Sequence, residues 1–129
     1  MTAITLRKAE RLNSKKAIDT LFTGGGSSSM SAFPIRVVYR LVDQQPDMAQ
    51  VQMLVSVPKK HFKRAVKRNR VKRQIREAYR QHKQILWQKI LEGDKALLLS
   101  FIWLDDNLHD STEIESCVTR LLTRIAEKV

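Results

Sequence analysis

The stretch from Lys59 to Arg80 constrains this chain more than any other feature. Its 22 residues hold eleven bases, six of them Arg, and a single acid, Glu77, for a net charge of +10. The other 107 of the 129 residues together carry only +1. A merely solvated surface mixes the two signs, and this one does not. So charged a segment can join a folded domain only if it also carries an apolar stripe. On a helical wheel at about 100° per residue, Val71, Ile75, Ala78 and Tyr79 fall in one arc of about 100°. Asn69, Lys72, Arg73, Arg76 and Arg80 fall in a second, adjacent arc. The spacing predicts a helix from about Ala65 to Arg80, docked by the first arc and holding the second outward.

That arrangement is unfavourable by itself. Like charges at i, i+4, such as Lys72 with Arg76 and Arg76 with Arg80, cost roughly 0.2–0.5 kcal/mol per pair. Glu77 offers relief to Arg73 at i−4. Phosphate is the natural compensating anion, because the planar fork of Arg matches phosphate oxygens in pairs. Asn69 sits among the bases and can both donate and accept, which suits it to fixing geometry or to a 2′-hydroxyl. The sequence pI of 10.2 lies above the value of about 9 that marks a polyanion partner. A basic helix for a membrane surface or for calmodulin needs an exposed apolar face of Trp, Leu or Phe; Val, Ile, Ala and Tyr are better explained as core contacts. A uniform Arg/Lys stripe reads backbone rather than base edges, which favours structured RNA over DNA, and no DNA partner is expected. The competing reading is a basic nucleic-acid-binding module, ribosomal or DNA-binding, without a role in RNA processing. A stand-alone nuclease would need clustered carboxylates or a His pair. Only Asp105, Asp106 and Asp110 gather loosely, and a loop leading into a helix explains them more simply.

The remaining composition excludes several classes. With 129 residues, 43% of them hydrophobic, the chain reads as one domain, 1–129, with material for one modest core. One cysteine, Cys117, forms no intrachain disulfide. His61, His82 and His109 are too scattered for a metal motif. The longest apolar run, Ala96 to Leu104, is about half of the ~20 residues that span a bilayer. The first ten residues have no signal-peptide apolar core. A soluble cytoplasmic protein without a membrane partner is expected, with Trp87, Trp103 and Cys117 as packing residues. His61 is open to phosphate or to solvent.

Along the chain, Asn13 or Ser14 caps a first helix carrying Ala17, Ile18, Leu21 and Phe22 and ending at Gly24. Gly24 to Ser29 reads as a flexible loop. Phe33 to Val42 is a strand in which Ile35, Val37, Tyr39 and Leu41 alternate with Arg36, Val38, Arg40 and Val42. A turn around Pro46 leads to a second strand, Ala49 to Val57, and the short connection predicts an antiparallel hairpin. After the basic helix, a short helix runs from about His82 to Leu91. Ala96 to Leu104 is a continuous apolar strand of the central, doubly covered kind. Thr112-x-x-Glu115 reads as a capping box for a last helix with Ile114, Val118, Leu121, Leu122 and Ile125 inward. The order α-β-β-α-α-β-α predicts an α+β fold, a small mixed sheet with helices packed on it.

The run from Ala65 to Tyr79 (AVKRNRVKRQIREAY) closely resembles the signature of the bacterial ribonuclease P protein component, a basic RNR block followed by Lys-Arg-x-x-Arg. Ser56 to Lys60 (SVPKK) resembles the strand end that precedes it, and the element order fits over most of the chain. The resemblance implies an α+β sandwich with a left-handed βαβ crossover through the RNR helix. It implies a subunit that does not itself cut RNA. Together with a catalytic RNA it would remove the 5′ leader of precursor tRNA, with Mg2+ held mainly by the RNA. Lys67, Arg68, Asn69, Arg70, Lys72, Arg73, Arg76 and Arg80 would then face the catalytic RNA. Ile18, Phe22, Tyr39, Lys59 and Lys60 would meet the leader in a cleft between the first helix and the sheet. Ile18 stands where the family carries an aromatic, and His61 to Arg64 replace a shorter, Gly-containing link. From spacing alone, Phe22 and Tyr39 also fit as core residues.

Overall fold

The computed structural model describes residues 18–19, 21–22, 26–44 and 49–129. The predicted caps at Asn13 and Ser14, Ala17, Gly24 and the turn at Pro46 lie outside the described residues. A helical segment at Ile18, Asp19, Leu21 and Phe22 is followed by strands β1 (Ser28–Ala32), β2 (Ile35–Asp43) and β3 (Val51–Ser56). Helices α1 (Ala65–His82) and α2 (Gln84–Leu91) come next, then β4 (Lys95–Trp103) and α3 (Ser111–Lys128). The α+β class and mixed sheet are as expected.

The strand order β1-β2-β4-β3 corrects the predicted hairpin. β2 and β3 are not neighbours: β4 lies between them, antiparallel to β2 and parallel to β3. The reason lies in β4 itself. Ala96 to Phe101 are all buried, so β4 presents apolar side chains on both faces and is satisfied only in the middle of the sheet. The loop predicted at Gly24 to Ser29 is also corrected from Ser28 onward, where the chain becomes edge strand β1, antiparallel to β2.

Each face of the sheet has its own cover. Ile35, Val37 and Tyr39 of β2, Val51, Met53 and Val55 of β3, and Leu97, Leu99, Phe101 and Trp103 of β4 form the main core with α1, α2 and α3. The opposite face packs Leu98 against Leu21, with Ile18, Val38, Val42 and Leu54 around them. The N-terminal helical segment thus lies across the sheet from the other helices.

The last helix is capped two residues earlier than the predicted box at Thr112. Asp110 is its N-cap, and its carboxylate accepts a 2.9 Å bond from the Glu113 N–H. Glu115 instead meets His82 on α1, 2.9 Å away. Ile114, Val118, Leu121, Leu122 and Ile125 are buried as expected. Trp103 is fully buried. Trp87 is half-buried and donates from Nε1 to the Tyr79 hydroxyl at 3.0 Å.

Candidate nucleic-acid interface

Helix α1 buries Val71, Ile75, Ala78 and Tyr79, the four residues of the predicted apolar arc. Tyr79 packs edge-on against Phe101 of the central strand, with ring centroids 6.1 Å apart. Docking on the sheet orients the basic arc. Lys67, Asn69, Arg70 and Arg73 are exposed, and Arg68, Lys72, Arg76 and Arg80 are half-buried along the flanks. Lys59, Lys60, Lys63 and Arg64 are exposed on the approach to the helix.

The start of α1 at Ala65 adds a second electrostatic cost. Its first turn holds no acid, and Lys63, Arg64, Lys67 and Arg68 surround the positive end of the helix dipole. Cations at a helix N-terminus lose roughly 0.3–1 kcal/mol each, and an anion placed there recovers it.

Two bases behave differently from the expectation. Glu77 pairs with Arg80 at i+3, not with Arg73. Arg80 Nε donates to it at 3.0 Å, and Gln81 adds a further 3.0 Å bond. The side-chain hydrogen bond from Arg80 holds the Glu77 carboxyl below its ordinary range. Arg68 turns back: its Nη1 donates to the carbonyls of Phe62 and Lys63, both at 2.8 Å. It thereby clamps the link before the helix. That link is further anchored by Phe62, which is buried in the core, and by His61, whose Nδ1 lies 2.7 Å from Asp106. His61 therefore faces a carboxylate of its own chain.

On the opposite sheet face, the leader set is only partly brought together. Phe22 is 46% exposed and lines an open cleft of about 310 Å³ beside Leu21, Val38 and Ile102. Ile18 is half-buried against the Leu21–Leu98 cluster. Lys59 and Lys60 are exposed beyond the end of β3. Tyr39 is corrected: it is buried in the main core on the helix side, 8% exposed, with Ile35 and Val37. Strand alternation sends its ring to the face opposite Phe22. Arg36 lines the cleft instead. The alternation of β2 carried the signal for Arg36, since it shares a face with Val38 and not with Tyr39.

The acids after β4 serve the loop. His109 donates toward Asp105 and Glu113, Asp106 meets His61, and Asp110 caps α3. Among the described residues no group of three or more His, Cys, Asp or Glu forms a metal site. The Asp105, Asp106 and Asp110 carboxylates are engaged by His109, His61 and the Glu113 N–H. Cys117 is half-buried, and burial pushes its thiol up. No helix among the described residues is long and apolar enough to cross a membrane.

The comparisons agree on one family. A family model for ribonuclease P matches residues 6–126. The ribonuclease P protein component of Porphyromonas gingivalis strain W83 is 43% identical over 124 residues, covering 96% of this chain and 88% of the relative. That of Chlorobaculum tepidum is 36% identical, covering 76% and 66%. The solved RNase P protein from Thermotoga maritima superposes with a TM-score of 0.68 at 21% identity, covering 89% of this chain and 96% of that one. The Staphylococcus aureus RNase P protein superposes at 0.64 with 20% identity, covering 93% and 97%. With a matching family model over nearly its whole length and relatives at this identity, the chain belongs to the ribonuclease P protein component family.

Proposed function

We propose that this chain binds the catalytic RNA of ribonuclease P through α1 and the unpaired 5′ leader of precursor tRNA through the cleft beside Phe22, in the cytoplasm. The observation that carries the reading is the outward basic arc of α1, whose positive end holds four bases and no acid in its first turn. Such a surface is stabilised by a polyphosphate backbone. Apolar docking of Val71, Ile75 and Tyr79 supports it as a rigid strip, so little ordering cost accompanies binding. Phe22 suits a leader of variable sequence, because every base has a face to stack. Mg2+ held mainly by the RNA would supply the hydrolytic chemistry; the protein's residues bind and orient the two RNAs.

Reconstitution tests this. The chain plus a catalytic RNA, at limiting Mg2+, is expected to release the mature 5′ end from precursor tRNA faster than the RNA alone. The protein alone is expected to release none. Cleavage by the protein alone, or no stimulation of the RNA, overturns the proposal. Displacement of bound catalytic RNA by equimolar duplex DNA would favour the generic basic-module reading.

A further inference from the structure

The cleft beside Phe22 has a lining of two chemical kinds. Leu21, Phe22, Val38 and Ile102 are apolar, and Ser27, Ser28, Ser29 and Arg36 are polar. None of the described lining residues is acidic. The register explains the pairing: Ser29 lies opposite Val38, which shares a sheet face with Arg36, so the Ser29 hydroxyl is on the guanidinium's side of the sheet. Arg36 is exposed, and its Nη2 makes one long bond, 3.3 Å, to Ser29 Oγ. A guanidinium has five donors, so most of its capacity is not used by that bond. The row continues from Arg36 to Ile102 and then Ser56 at the end of β3, beyond which come Lys59 and Lys60.

We infer that Arg36 and Ser29 form a phosphodiester-binding subsite, so that the cleft holds one unpaired ribonucleotide with its base on Phe22 and its phosphate on Arg36. This rests on the leader-binding reading above and names the group within the leader that is gripped. An aromatic wall beside a guanidinium and hydroxyls matches the two halves of a nucleotide. The described lining offers no amide or carboxylate to read a base edge, so the subsite is tolerant of sequence. The strand continuing toward Lys59 and Lys60 would stay over positive charge.

The test uses the reconstituted holoenzyme and two substrates, precursor tRNA with a leader of several nucleotides and mature tRNA. Wild type is expected to bind the precursor more tightly. Arg36→Ala is expected to weaken precursor binding about 10-fold and leave mature tRNA unchanged. Arg36→Lys, which keeps the charge but loses the fork, should fall between the two. Neutral methylphosphonate linkages, placed singly along the leader, supply the phosphate-specific readout. At one position the linkage should weaken wild type and leave Arg36→Ala unaffected. Equal weakening of both substrates by Arg36→Ala, or full retention of the precursor preference, overturns the subsite while the cleft reading stands. Equal binding of both substrates by wild type overturns both together.

Discussion

The Nε2 of His109 lies 2.6 Å from a carboxylate oxygen of Asp105. Its Nδ1 lies 2.9 Å from Glu113, so both ring nitrogens face carboxylates. A neutral imidazole donates from one nitrogen only, and this geometry is satisfied by the imidazolium. Trp103 and Phe33 meet the ring edge-on at 5.4 and 6.4 Å, and Gln74 of α1 donates to the His109 carbonyl at 3.2 Å. The cluster ties the loop before α3 to α1 and to the β1–β2 turn.

This latch is expected to make stability depend on pH. The hydrogen bonds to Glu113 first, and to Asp105 second, raise the His109 pKa above its ordinary 6.5. Its stabilisation is therefore complete below about pH 6.5 and is lost as pH rises through the raised value. His109 in turn lowers the Asp105 carboxyl below 3.8, so that contribution is lost as pH falls through the lowered value. Denaturant unfolding of wild type and His109→Gln should show the largest difference at about pH 5–6, shrinking by about pH 9. A difference that does not vary with pH would remove the latch.

Opposite faces of α1 should separate under substitution. Arg70→Ala with Arg73→Ala removes two exposed bases and is expected to weaken catalytic-RNA binding while changing stability by under about 0.5 kcal/mol. Ile75→Ala, fully buried, is expected to cost roughly 2–5 kcal/mol of stability. If the arc makes about 6–8 phosphate contacts, log Kd against log salt should have a slope of magnitude about 4–7. A magnitude under about 2 would show the arc facing solvent in the complex.

Arg68 is expected to act by positioning. Arg68→Ala removes both 2.8 Å bonds to the Phe62 and Lys63 carbonyls and should cost roughly 1–2 kcal/mol of stability. Calorimetry should then show a lowered Tm that Arg73→Ala does not share. An unchanged Tm would return Arg68 to the set of plain phosphate contacts.

Tyr39 is expected to matter for folding and not for the leader. Tyr39→Phe should leave binding of precursor over mature tRNA unchanged, whereas Tyr39→Ala should destabilise the fold by roughly 3–5 kcal/mol. A selective loss of precursor binding in Tyr39→Phe would place the ring in the cleft after all.

Much of the interface was legible because it is local. Val71, Ile75, Ala78 and Tyr79 recur at the helical period, and no packing partner need be known to see that Arg73 and Asn69 lie off that stripe. The strands β2, β3 and β4 were legible for the same reason, through alternation or an unbroken apolar run. β1 was not, since Ser28 to Ala32 has neither, and its pairing with β2 supplies the order that its side chains do not specify. Arg80 was grouped with its neighbours because periodicity assigns a face and says nothing of hydrogen-bond partners; Arg68 was grouped through the family resemblance alone, and its bonds to the Phe62 and Lys63 carbonyls lie outside what a motif records.

By itself, then, the amino-acid order determined the helix, its two faces and the net charge held outward, all properties of residues within a few turns of one another. Only the tertiary structure decided that β4 separates β2 from β3, and that Tyr39 turns to the core while Arg36 turns to the cleft beside Phe22. Those relationships join residues far apart in the chain. They arise from burying both apolar faces of one strand at once, a condition met by the whole sheet and visible in no single segment.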